Sequence, residues 1–225
     1  MDMPDPPIVI NPPETADSCV IWLHGLGADG HDFEGIHPEL GKTVTQKTKF
    51  IFPHAPYRSV TINGGYKMRA WYDIVDTDLS RRADESGVRE SAEILEALIQ
   101  QQTDAGIPAS RIVIAGFSQG GAIVLHTGIR TKEALGGIMA LSTYLPVPES
   151  VDQEVNRANA DKTAIFMGHG LYDDVIAHDH AVASKGKLEE LGFKVTWESY
   201  PMPHSVCAEE ISDIADWLKK VLNLS

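Results

Sequence analysis

Short apolar runs alternate along the chain with segments whose apolar positions recur at helical spacing. That alternation predicts a mostly parallel sheet with crossover helices. Strands are expected at Cys19 to Leu23, Phe50 to Phe52, Arg111 to Ala115, Gly137 to Leu141, Ala164 to Met167 and Val195 to Tyr200. Strands buried on both faces read as continuous apolar runs, and Ile112-Val113-Ile114-Ala115 is the clearest. Between Ser86 and Thr103, Val88, Ala92, Leu95, Leu98 and Ile99 fall on one helical face, with Gly106 and Pro108 as stop signals. A last helix, from about Ala208 to Leu222, places Ile211, Ile214, Ala215, Leu218 and Leu222 together. No internal repeat or linker interrupts the pattern, so residues 1–225 read as one α/β domain. The stretch from Pro53 to Asp78 is long and irregular, and its Asn63-Gly64 pair argues for a tight turn or small hairpin. Long loops in compact domains tend to carry function.

Composition narrows the picture. The 225 residues are 43% hydrophobic and 23% charged, with a formal charge of -13, the mixture of a globular protein with material for a sizeable core. Such acidity argues against nucleic acid or acidic membranes as partners. Two cysteines, Cys19 and Cys207, are too few for a disulfide framework. No run is long enough to span a membrane. The first residues, acidic and proline-rich, lack the features of a secretion signal, which leads us to expect a cytoplasmic protein.

The chemistry centres on Gly116-Phe117-Ser118-Gln119-Gly120, a G-x-S-x-G sequence between an expected strand and an expected helix, Gln119 to Arg130. This is the setting of the nucleophile elbow in the α/β-hydrolase fold: a sharp turn exposes the serine oxygen, and small neighbours let strand and helix approach. A serine hydroxyl needs a base, and this fold supplies it in the chain order serine, acid, histidine. Of nine histidines, His204 follows the last strand and precedes the last helix, which sets it at the same sheet edge as Ser118. His178 and His180 are expected to begin a helix, and His126 to point away from that edge. The acid belongs in the loop after the strand Ala164 to Met167, where Asp173 and Asp174 stand side by side. For the oxyanion, the N–H of Gln119 is one expected donor and that of Leu26, flanked by Gly25 and Gly27, the other. Removing such a donor typically costs about 2.7–4 kcal/mol of transition-state stabilisation. His24 is expected to brace this loop. His178-Asp179-His180 makes a poor metal chelate, because residues two apart on a helix face different ways.

With these residues placed, the chain resembles the phospholipase/carboxylesterase family, which includes acyl-protein thioesterases and small bacterial carboxylesterases. The resemblance rests on Ile21-Trp22-Leu23-His24-Gly25-Leu26-Gly27, Arg69-Ala70-Trp71-Tyr72-Asp73-Ile74, Ala115-Gly116-Phe117-Ser118-Gln119-Gly120-Gly121-Ala122 and Tyr200-Pro201-Met202-Pro203-His204. Asn63-Gly64-Gly65 and Leu141-Ser142-Thr143-Tyr144 resemble the bacterial branch. The family's His-Gly-x-x-Asp pattern falls on His169 to Asp173, which selects Asp173 as the acid. The resemblance further implies oxyanion donors at Leu26 and Gln119, an acyl pocket near Trp71, and pairing as a homodimer. Two departures stand out. Pro203 replaces a glycine usual before the histidine, which brings the shape of that loop into question, and Ala177 replaces a proline common after the acid.

The expected activity is hydrolysis of short- to medium-chain carboxylic esters through an acyl-enzyme on Ser118. It would need neither metal nor organic cofactor. A thioesterase or lysophospholipase for long acyl chains would use the same triad with a longer pocket. A binding module on a hydrolase scaffold is the third reading, since fold alone does not make function.

Overall fold

The computed structural model describes residues 5–76 and 84–224. Among these described residues the strands are β1 (Ile8–Ile10), β2 (Ser18–Leu23), β3 (Thr48–Phe52), β4 (Tyr57–Val60), β5 (Tyr66–Arg69), β6 (Ile112–Phe117), β7 (Gly137–Leu141), β8 (Ala164–Gly170) and β9 (Val195–Tyr200). The helices are α1 (His31–Glu34), α2 (Gly41–Thr45), α3 (Glu85–Asp104), α4 (Gln119–Gly128), α5 (Pro148–Glu154), α6 (His178–Glu190) and α7 (Ala208–Val221). Seven strands form one sheet in the order β1-β3-β2-β6-β7-β8-β9, parallel except for β1 at the edge. This is the α/β-hydrolase architecture expected from the sequence.

The central strands β2, β6, β7 and β8 are buried on both faces, and the period of two along each strand sorts its side chains between them. Ile21, Ile112, Ile114, Ile138 and Ile165 share one core with Val88, Leu95 and Leu98 of α3, Ile123 of α4 and Leu188 of α6. Val20, Trp22, Val113, Ala115, Met139 and Phe166 share the other with Val44 of α2 and Ile214, Trp217 and Leu218 of α7. A continuous apolar run is therefore what β6 requires, since every position meets a helix layer.

Each expected strand forms, as do the three helices expected with stated bounds, with ends displaced by up to three residues, and a fourth expected helix begins at His178. The sequence reading did not include β1, a three-residue edge strand whose pattern is too short to register. The irregular excursion contains the hairpin β4–β5, in which Val60 pairs with Tyr66. Gly64 and Gly65 close it at φ 67° and 77°, values that glycine adopts without steric cost. The end of that excursion, Thr77 and Asp78, lies outside the described residues. Among the described residues no helix is long and apolar enough to cross a membrane.

Candidate functional site

Ser118 sits between β6 and α4 at φ 53°, ψ −118°. A non-glycine residue held there stores roughly 1–3 kcal/mol of strain, which the surroundings must hold in place. They do so through hydrogen bonds to its main chain: Ser118 N donates to Leu141 O at 2.9 Å, and the Thr143 side-chain Oγ1 donates to Ser118 O at 2.7 Å. The glycines are explained by close approach. A Cβ at Gly116 would overlap the Gly120 backbone, and one at Gly120 would lie 2.5 Å from Leu23 O and 2.6 Å from His24 O. Strand β6, helix α4 and the end of β2 thus meet at backbone contact, which sets Ser118 beside the loop after β2.

The loop after β8 carries both candidate acids, and Asp173 is the one that reaches the histidine. Its Oδ2 is 2.7 Å from His204 Nδ1, and its Oδ1 accepts from Val175 N at 2.9 Å and Ile176 N at 2.8 Å. The Asp173 side chain is fully buried, whereas Asp174 is exposed. The histidine loop lies directly on this turn. Tyr172 N donates to Met202 O at 3.1 Å, and a Cβ at Gly170 would lie 2.5 Å from Pro203 O. Pro203 is accommodated in a formed loop, and the Phe117 ring, 4.7 Å from that of His204, packs against the imidazole. Ala177 caps α6 at φ −54°, a value proline itself adopts.

The loop after β2 is held by His24. Ala55 N donates to its Nε2 at 3.0 Å, so the ring proton sits on Nδ1 and is donated to Gly25 O at 2.7 Å. Burial pushes this imidazole down to about 4, which keeps it neutral and in that tautomer. Gly27 N and Ala28 N are committed to Arg69 O and Gly25 O, and Leu26 lies between. Gln119 is the first residue of α4, where backbone N–H groups have no acceptor within the helix. Its side chain is locked as well, accepting from Trp71 N at 2.7 Å and donating to Tyr72 O at 2.7 Å.

Trp71 is placed differently from the expectation of an acyl-pocket residue. It is 1% exposed, and its indole Nε1 donates to His24 O at 2.9 Å. The ring lies behind the β2 loop because its one polar atom finds its partner there; the neighbouring Tyr72 lines the cavity instead.

One cavity of about 730 Å³ brings Leu26, Ser118, Gln119, Asp173 and His204 together, within the range usual for small-molecule sites. Its apolar wall includes Ile62, Tyr72, Ile74, Tyr144, Val175 and Ile176. A family model described as Phospholipase/Carboxylesterase matches residues 4–222. The chain belongs to the phospholipase/carboxylesterase family. Over 224 residues it is 43% identical to "Acyl-protein thioesterase 1" of Yarrowia lipolytica, covering 97% of this chain and 98% of that one. The crystal structure of Arabidopsis thaliana SOBER1 superposes with a TM-score of 0.87 at 30% identity, over 91% of this chain and 99% of that chain. Likeness to the Bacillus cereus carboxylesterase, at 17% identity and a TM-score of 0.74 over 96% of this chain and 93% of that one, is one of fold.

As a member of the phospholipase/carboxylesterase family, the protein is a serine hydrolase. The residues that sequence reasoning did not find are those of the cavity wall. Ile62, Tyr72 and Ile74 belong to the long excursion whose irregularity marked it as functional, but nothing local showed which side chains face Ser118. Tyr144 approaches from beyond β7 and meets Tyr72 hydroxyl to hydroxyl at 2.9 Å. Among the other histidines, His178 and His180 begin α6 as expected, and His126 is buried within α4. Among the described residues no three His, Cys, Asp or Glu side chains are grouped to hold a metal ion.

Proposed function

We propose that the protein hydrolyses long-chain acyl thioesters and esters, S-acylated proteins among them, with Ser118, His204 and Asp173 as catalytic triad. The cavity supports this reading, since Ser118 and His204 share its volume of about 730 Å³ with the apolar side chains of Leu26, Ile62, Ile74, Phe117, Val175 and Ile176. The names of the similar proteins favour thioesters over the short esters suggested by sequence alone.

Ser118 Oγ attacks the acyl carbonyl while His204 Nε2 takes its proton. Asp173 fixes the imidazole proton on Nδ1 and stabilises the imidazolium. The oxyanion accepts hydrogen bonds from the Leu26 and Gln119 N–H groups. Collapse expels the thiol or alcohol, which leaves with the proton from His204. Water deprotonated by His204 then attacks the acyl-enzyme and releases the fatty acid, restoring Ser118.

The test is hydrolysis of p-nitrophenyl esters from acetate to palmitate and of a palmitoyl thioester, with Ser118→Ala as control. If the acyl chain is buried, each added methylene contributes about 0.8 kcal/mol, or about fourfold in kcat/KM, until the cavity is filled. A maximum at acetate or butyrate, with the thioester untouched, would return the assignment to a short-chain esterase. Full activity in Ser118→Ala would overturn the triad.

A further inference from the structure

The first residue of the His-Gly-x-x-Asp sequence has a place in the site that the triad does not account for. His169 lies near the end of β8, and it is 1% exposed. Its Nε2 is 2.9 Å from Ile176 O. A carbonyl oxygen only accepts, so the proton of this imidazole is on Nε2. The same nitrogen is 3.4 Å from Asp173 Oδ2, the oxygen that His204 uses. Nδ1 is buried and without a partner among the described residues, a state that suits an unprotonated nitrogen and penalises an N–H. Burial also lowers the pKa of this ring, against the pull of Ile176 O and Asp173 and with His178 and His204 acting in the same sense as burial. The ring is held between Trp197, stacked at 6.4 Å and 12°, and the edge of His178 at 5.8 Å and 75°.

The turn from Asp173 to Ile176 is consequently closed from two sides. Asp173 Oδ1 takes its N–H groups, at Val175 and Ile176, and His169 takes its terminal carbonyl. We propose that His169 is a positioning residue for catalysis: its single Nε2–H, directed at Ile176 O and facing Asp173 Oδ2, fixes the acid turn so that Asp173 stays aimed at His204. This rests on the triad reading above. It adds that the acid is held by a neutral histidine from β8, the strand that leads into the acid loop, and that this histidine lies outside the lining of the Ser118 cavity.

Two variants separate the roles. In His169→Gln the amide N–H can replace the Nε2 donor; in His169→Leu the volume is kept and the donor is lost. Loss of a hydrogen bond to a neutral carbonyl corresponds to about 2- to 10-fold. We expect His169→Leu to lower kcat by that factor with KM within about twofold. Fluorophosphonate labelling of Ser118 should slow in parallel, and His169→Gln should recover most of both. Unchanged kcat in the Leu variant would overturn the proposal. So would equal losses in Leu and Gln variants that melt equally early, which would mean packing alone. ¹⁵N NMR of the unaltered protein supplies a test independent of variant folding. At neutral pH the His169 signals should report the Nε2–H tautomer, and a proton on Nδ1 would sink the idea. Failure of the triad reading itself is recognised separately, by activity and labelling that survive in Ser118→Ala.

Discussion

Asp173 Oδ2 lies 2.7 Å from His204 Nδ1, and the carboxylate making this contact has no exposed side-chain surface. Its other oxygen is committed to the N–H groups of Val175 and Ile176. In Asp173→Asn those two N–H groups would hold the amide oxygen and turn the NH₂ toward His204. Nδ1 would then have to be the bare nitrogen, with the proton on Nε2, where the proposed mechanism sends the Ser118 proton. We expect kcat to fall about 10⁴-fold with the fold intact. The exposed Asp174 makes no such contact, and Asp174→Asn should keep its activity within about twofold. Steady-state kinetics on the best ester decide both, and equal losses would remove the distinction between the two aspartates.

Gly120 is a place where one methyl group should disable the site. Its Cβ would lie 2.5 Å from Leu23 O and 2.6 Å from His24 O, so α4 must shift away from the β2 loop. Displacement of about 1 Å at a reacting centre costs roughly 100-fold. Overpacking of this kind costs about 1–3 kcal/mol, or some 2–4 °C of melting temperature per kcal/mol. Gly120→Ala should therefore be both less active and less stable, as read by esterase assay and thermal unfolding.

His126 couples stability to acid. Burial in α4, with Arg130 and Arg89 nearby, pushes its imidazole down to about 3. Between that value and an ordinary histidine pKa near 6.5 the unfolded chain binds a proton that the native state refuses. The stability present above pH 6.5 is thus lost as pH falls, by up to about 1.4 kcal/mol per pH unit. Urea unfolding of His126→Gln across that range should show a shallower loss than the unaltered protein; parallel curves would refute the buried neutral histidine.

Glu210 acts in the opposite direction. Burial, with Asp213 adding to it, pushes this carboxyl up to about 8. From about pH 4.5 to 8 the native state holds a proton that the unfolded chain releases, so stability falls as pH rises, again by up to about 1.4 kcal/mol per unit. Glu210→Gln keeps the shape and removes the titration. It should match the unaltered protein near pH 4.5 and be increasingly more stable toward pH 8. A constant difference would contradict the assignment.

What could be read from the chain followed periodicity and local chemistry. Ile112 to Ala115 had to be a strand covered on both faces, and Gly116 to Gly120 had to be a close turn carrying an exposed serine. The hairpin around Asn63-Gly64 was legible from turn residues, while its role as one wall of the cavity was not. Trp71 shows the limit. A large aromatic in a matched block looks like a pocket residue, yet its indole N–H is drawn to His24 O and its ring is sealed behind the loop.

The sequence by itself determined the parallel strands of the main sheet and the loops that carry Ser118, the Asp173–Asp174 pair and His204. Those features depend on φ/ψ preferences and on apolar spacing, which act over a few residues. Only the tertiary structure decided which polar atoms meet: that His169 serves the acid turn, that Gln119 anchors residues 71 and 72, and that Tyr72 and Tyr144 join across the cavity. Such pairings join positions as much as 72 residues apart. Their geometry is set by how buried layers pack and by the need to satisfy each buried donor and acceptor at once, a condition that no local stretch of sequence contains.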